Sequence, residues 1–173
     1  MNSLRSSFLP VEQLPDYVQL ARRFFPNEDW ANGVRRLKRL LVRWPEGIFA
    51  VRGGSELIGY ICLWPLTATA ARRIVAGMVR DNDLDGIHIP ARVSRPHKNW
   101  ICTAVAALPG ELEIRRSVVR LLVGRLNEIA NQHRPCAIYA HAVTEAGRRF
   151  CLRNGFQFDL SSPVPELCRL LTK

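Results

Sequence analysis

The chain is 173 residues long, 47% hydrophobic and 23% charged, which suits a single globular domain over residues 1–173 and excludes the disordered and fibrous classes. Its formal net charge of +10 favours a polyanionic partner, a nucleic acid or a phosphorylated cofactor, unless the arginines form a solvated face. No run approaches the ~18 apolar residues of a membrane span, and the opening MNSLRSSFLPVEQLPD lacks the apolar core of a secretory signal, so a cytoplasmic protein without membrane contact is expected.

Val11–Phe25 spaces Leu14, Val18, Leu20, Ala21 and Phe24 as an amphipathic helix, and Trp30–Trp44 repeats the pattern with Val34, Leu37, Leu40, Leu41 and Trp44. Pro26 and Pro45 mark their ends, because a proline drives the preceding residue out of the helical region. Ile48–Val51 and Glu56–Trp64 are β-rich runs joined by RGGS, which predicts a tight antiparallel hairpin. Ala68–Val79 reads as helix, followed by the polar loop Arg80–Gly86 and an irregular stretch with Pro90 and Pro96. Asn99–Leu108 is the next strand, stopped by Pro109 and Gly110. Glu111–Ala130 then carries Ile114, Val118, Leu121, Leu122, Leu126 and Ile129 at helical spacing, with Glu111 and Glu113 at the positive end of the helix dipole. The strands on either side of that helix, Trp100–Leu108 and Ala137–Val143, would lie parallel through a crossover. Thr144 and Gly155 bracket a short helix, and Phe156–Leu160 and Leu167–Leu171 are terminal strand candidates. The elements add up to an α+β chain with a mixed sheet.

The five cysteines, Cys62, Cys102, Cys136, Cys151 and Cys168, are odd in number and form no C-x-x-C pair, so they read as small buried residues of a reducing compartment. Arginines occur in pairs at 22–23, 35–36, 72–73, 115–116 and 148–149. No helix-turn-helix, zinc finger or aromatic RNA platform accompanies them, so nucleic acid as a partner rests on charge alone.

The run TEAGRRFCLRNGF at 144–156 resembles the N-x-x-A-x-x-F-Y-x-x-x-G-F helix that follows the fifth strand in the GNAT superfamily of N-acetyltransferases, with Thr144, Phe150, Gly155 and Phe156 in register. The element order over roughly residues 10–173 is similar to that family's, which implies a mostly antiparallel sheet with helices on both faces. GYICLWPLT and the helical stretch after it resemble members with an enlarged connection after the third strand, here Pro65–Lys98, which would face the acceptor. The resemblance implies an N-acetyltransferase that moves an acetyl group from acetyl-CoA to an amine on a small molecule, a protein or an aminoacylated RNA. In the family the cofactor lies between the fourth and fifth strands, which assigns Thr103, Ala104, Val105 and Ala106 as the pantetheine edge. The family's phosphate loop, R/Q-x-x-G-x-G/A, is replaced by LPGELEIRRS at 108–117. Only Gly110 remains of its small residues, and Glu111 and Glu113 would repel a pyrophosphate. Arg115, Arg116 and Ser117 are the donors that would compensate. The other reading of this loop is a catalytically silent GNAT-like module that binds a polyanion or a protein partner.

Acetyl transfer needs a base for the amine, a donor for the thioester carbonyl and an acid for the leaving thiolate. Tyr139 and His141 share strand parity, so both would face the cofactor gap; His141 is the first choice of base, directly or through water, or else a core or rim histidine hydrogen-bonded to backbone. Cys151 stands where the family usually has a tyrosine, often the general acid; it either replaces that acid or is a small buried residue. His97, just before the fourth strand, is a second histidine candidate, expected at the surface. DNDLDG at 81–86 matches the first half of an EF-hand loop, but Arg92 stands at the position of the bidentate glutamate and Pro90 interrupts the following helix, so no metal is expected. An acidic, solvated loop that attracts a basic acceptor is the better account.

Overall fold

A computed structural model describes residues 3–92, 96–158 and 162–173. Its strands are β1 (Leu4–Phe8), β2 (Ile48–Gly53), β3 (Glu56–Pro65), β4 (Asn99–Ala107), β5 (Ala137–His141), β6 (Gln157–Phe158) and β7 (Leu167–Leu171). Its helices are α1 (Leu14–Ala21), α2 (Trp30–Arg43), α3 (Ala68–Val75), α4 (Leu112–Gln132) and α5 (Glu145–Arg153). The strands make a seven-stranded sheet in the order β1-β2-β3-β4-β5-β7-β6. The β4–β5 ladder is parallel, while β1–β2, β2–β3, β5–β7 and β6–β7 are antiparallel. The chain divides into two compact units, residues 1–63 with 104–126 and residues 64–103 with 127–173.

In the first unit, β3 is the organising strand, and its alternate residues serve opposite faces. Tyr60 and Cys62 meet α1, where the Tyr17 ring lies 4.6 Å from that of Tyr60 and its hydroxyl 3.6 Å from Cys62 Sγ. Trp30 of α2 adds an edge contact to Tyr17 with ring centroids 6.4 Å apart. On the other face Gly59 admits α4: a Cβ there would stand 2.5 Å from Val118 Cγ1 and 3.1 Å from Ala106 O. The strand therefore carries helices on both faces, as expected. Pro15 in the first turn makes the regular helix begin at Leu14, after a single 3-10 turn at Val11–Gln13, rather than at Val11. β1 was not foreseeable as a strand, because all but its first residue are exposed and no apolar alternation marks it. Its ladder with β2, from Leu4↔Gly53 to Phe8↔Phe49, holds it instead.

In the second unit, β5 pairs on both sides, with β4 from Asn99↔Ala137 to Cys102↔Ala140 and with β7 from Ala137↔Leu171 to His141↔Leu167. Both edges of β5 are therefore paired, and its central residues Ile138, Tyr139 and Ala140 are buried, in keeping with its continuous apolar run. Trp64, Trp100, Ile101 and Ile138 are fully buried, and each contributes about 1.5–3 kcal/mol of apolar burial. α3 is capped by Thr67, whose hydroxyl accepts from Ala70 N, and it stops at Val75 rather than Val79 because Gly77 turns the chain. The 80–86 segment is ordered into two single 3-10 turns, Asp81–Asp83 and Gly86–His88. β5 ends at His141, two residues earlier than expected, and the last residues of the Phe156–Leu160 candidate lie outside the described residues.

Candidate active site

The parallel ladder between β4 and β5 ends at Cys102↔Ala140, and Tyr139 pairs with Ile101. β4 continues through Thr103, Ala104, Val105 and Ala106 to Ala107 beyond that last rung. Thr103 is fixed by Trp64, whose indole Nε1 donates to Thr103 Oγ1 at 3.2 Å.

His141 is the first β5 residue after the last rung. Its Nδ1 lies 2.6 Å from Asp81 Oδ1, and the two side chains are 5% and 21% exposed. Among the described residues its other ring nitrogen, Nε2, is covered and has no hydrogen-bond partner. A held imidazole with one vacant nitrogen is the arrangement through which a proton can be taken up or given back. Asp81 opens the first 3-10 turn after α3, so the 65–98 connection reaches the end of β5. A second tie lies beside it: Arg80 is 3.5 Å from the Glu166 carboxylate, and the Glu166 carbonyl accepts from Ala142 N at 2.9 Å.

The carboxylates of the EF-hand-like run are thus directed to separate partners. Asp81 faces His141, Asp83 Oδ2 accepts from Arg80 N at 2.9 Å, and Asp85 Oδ1 accepts from Gly86 N at 2.6 Å. Among the described residues no three His, Cys, Asp or Glu side chains gather as a metal site requires.

α5 follows directly. Thr144 Oγ1 accepts from Gly147 N at 3.0 Å, and Gly155, at φ +81°, takes the left-handed conformation that ends the helix. Cys151 is 5% exposed and lies beside Cys168, whose Sγ donates to Ala140 O at 3.4 Å. The contact with Cys168 holds the Cys151 thiol below the usual thiol range, while the same contact and burial push Cys168 up. Tyr139 is buried, which raises its phenol, and Arg169 opposite offsets part of that rise. His97 corrects the expectation of a surface histidine: it is 8% exposed, its ring 6.0 Å from Trp100 and 5.8 Å from His133, and burial lowers its pKa.

At the start of α4 the expected phosphate donors are engaged nearby. Arg116 pairs with Glu113 at 2.7 Å, and the Ser117 hydroxyl donates to the Glu113 carbonyl at 2.9 Å. Arg115 is exposed, and a Cβ on Gly110 would meet nothing within 4 Å. Sequence reasoning missed Asp81 as the partner of His141 and Trp64 as the partner of Thr103, because both contacts join residues far apart in the chain and neither leaves a local spacing signal.

The sequence matches no protein-family model, and no curated protein is similar enough to match. Solved structures do match. A PaiA N-acetyltransferase from Thermoplasma acidophilum, solved with coenzyme A, superposes with a TM-score of 0.59 at 15% identity over 98% of this chain and 99% of its own. The fold is that of the GNAT N-acetyltransferases. A mosquito arylalkylamine N-acetyltransferase-like protein gives a TM-score of 0.63 at 11% identity over 98% of this chain and all of its own, and the loading GNATL domain of CurA from Lyngbya majuscula gives 0.61 at 13% over 99% and 98%. Among the described residues no helix is long and apolar enough to cross a membrane.

Proposed function

We propose that this GNAT-fold chain is an acyl-CoA-dependent N-acetyltransferase acting on an amine, with His141 as its base. The observation that carries the reading is the His141 imidazole directly after the last β4–β5 rung, held at Nδ1 and vacant at Nε2. A neighbour of the same fold was solved with coenzyme A, which supports the choice of donor. The strand half of a coenzyme A site fits this chain: Thr103–Ala106 continue β4 past the ladder, where backbone amides can pair with a pantetheine arm. The phosphate half fits less well, since Arg116 and Ser117 already serve Glu113, and Arg115 with the first backbone amides of α4 remains to meet a pyrophosphate.

When bound, acetyl-CoA supplies an activated thioester carbonyl. His141 Nε2 takes a proton from the acceptor ammonium, freeing the nitrogen lone pair that forms the new amide bond. Backbone N–H groups of the Thr103–Ala106 edge polarise the carbonyl on which that bond forms. Cys151 gives its proton to the departing thiolate as the carbon–sulfur bond breaks, a thiol-to-thiolate transfer close to thermoneutral. An ammonium loses two protons on becoming an amide: one leaves through His141 to solvent, and the other replaces the one Cys151 has given. Nε2 is covered, so acceptor entry requires displacement of the side chains over it.

The engagement of Arg116 and Ser117 with Glu113 favours a second reading, a silent module that binds a polyanion or protein. Calorimetry with acetyl-CoA, with coenzyme A and ATP as controls, separates the two. Micromolar binding selective for the acetyl thioester supports the transferase; no binding leaves the scaffold reading.

A further inference from the structure

The contact between β5 and the 65–98 connection carries more than a choice of base. A carboxylate accepts hydrogen bonds and donates none, so at 2.6 Å the hydrogen between Asp81 Oδ1 and His141 Nδ1 belongs to the imidazole. A neutral imidazole has one N–H, and placing it on Nδ1 leaves Nε2 with a bare lone pair. The covered environment agrees: a buried N–H without an acceptor is costly, and orphaned donors are rarer in folded chains than under-used acceptors. A free histidine side chain prefers the opposite tautomer, with hydrogen on Nε2. Something must reverse that preference here, and Asp81 is the group in contact.

Asp81 is itself held by its surroundings. Asp83 Oδ2 accepts from Arg80 N at 2.9 Å and closes the turn that presents Asp81. Arg80 reaches Glu166 at 3.5 Å on the segment entering β7. In the next turn Asp85 N donates to His88 Nδ1 at 3.0 Å, and the His88 carbonyl accepts from Thr67 N at 2.9 Å, the cap of α3. The polar loop is therefore a frame that sets one carboxylate against one ring nitrogen.

We propose that Asp81 is a positioning residue that fixes His141 as the Nδ1–H tautomer and so makes Nε2 the proton-accepting atom of the site. The use of that lone pair rests on the acyltransferase reading; the tautomer does not.

The test is a two-bond ¹H–¹⁵N correlation spectrum of the histidine-labelled full chain at mildly alkaline pH, with H141Q to assign the signals. The expected pattern for His141 is Nδ1 protonated and Nε2 bare, changing toward Nε2–H in D81A. An Nε2–H tautomer or an imidazolium in the wild-type chain, or an unchanged tautomer in a folded D81A, overturns the proposal. The wild-type spectrum alone decides should D81A fail to fold. If the chain turns over acetyl-CoA, D81A lowers kcat by about 10–100-fold with KM little changed, and D81E restores part of it. An Nδ1–H tautomer in a chain without turnover upholds the role of Asp81 and removes the acyltransferase reading instead.

Discussion

The end of β5 and the start of α4 both carry polar residues that the sequence marks as candidates, and the fold treats them in opposite ways. At the end of β5, His141 meets a carboxylate from 60 positions away and keeps its second nitrogen vacant. At the start of α4, Arg116 and Ser117 turn to Glu113, three and four positions away. Local pairs on a helix satisfy polar groups at little cost and need no fold to form. A histidine brought to a distant carboxylate requires the surrounding architecture to hold both, which is why the end of β5 carries the functional assignment.

Four substitutions break or sharpen this contrast. H141Q removes the vacant nitrogen and lowers kcat by about 10²–10⁴-fold with the melting temperature little changed, as steady-state assays beside thermal melts would measure; a fully active H141Q would erase the difference between the two regions. G59A sets a Cβ 2.5 Å from Val118 Cγ1 where α4 meets β3, and urea unfolding should show a loss of about 1–3 kcal/mol. The His141 ring signals should stay in place in that variant. C151A lowers kcat about tenfold, less than H141Q, because water can protonate a thiolate in its place; rates measured for the two variants side by side check that order. The smallest effect belongs to E113Q, which releases Arg116 and removes a charge from the helix start. Calorimetry should find coenzyme A bound about 2–5-fold more tightly, the counterpart of ~0.3–1 kcal/mol at a helix terminus, with binding of pantetheine alone unchanged.

Much of the fold was legible because its signals are local. Thr144 and Gly155 bracket α5 as the sequence predicts, and Leu167–Leu171 forms β7 over the expected residues. Val118, Leu122, Leu126 and Ile129 are the buried stripe of α4. β1 escaped notice because its side chains are mostly exposed and only the ladder to β2 holds it. His141 could be singled out by residue type and strand parity, but its partner could not. Asp81 belongs to a run that matches only the first half of a calcium loop and reads as a solvated acidic loop, and only the tertiary path of the 65–98 connection brings it to a histidine. The role of His97 was misjudged for a related reason, since the aromatic shelf of Trp100 and His133 that encloses it is assembled from two segments 33 positions apart.

The most direct test is the release of free thiol from acetyl-CoA by the wild-type chain, with and without a pool of primary amines. Amine-dependent release that is lost in H141Q is the predicted result. Thiol release that ignores the amines, or none at all, would contradict the acyltransferase account.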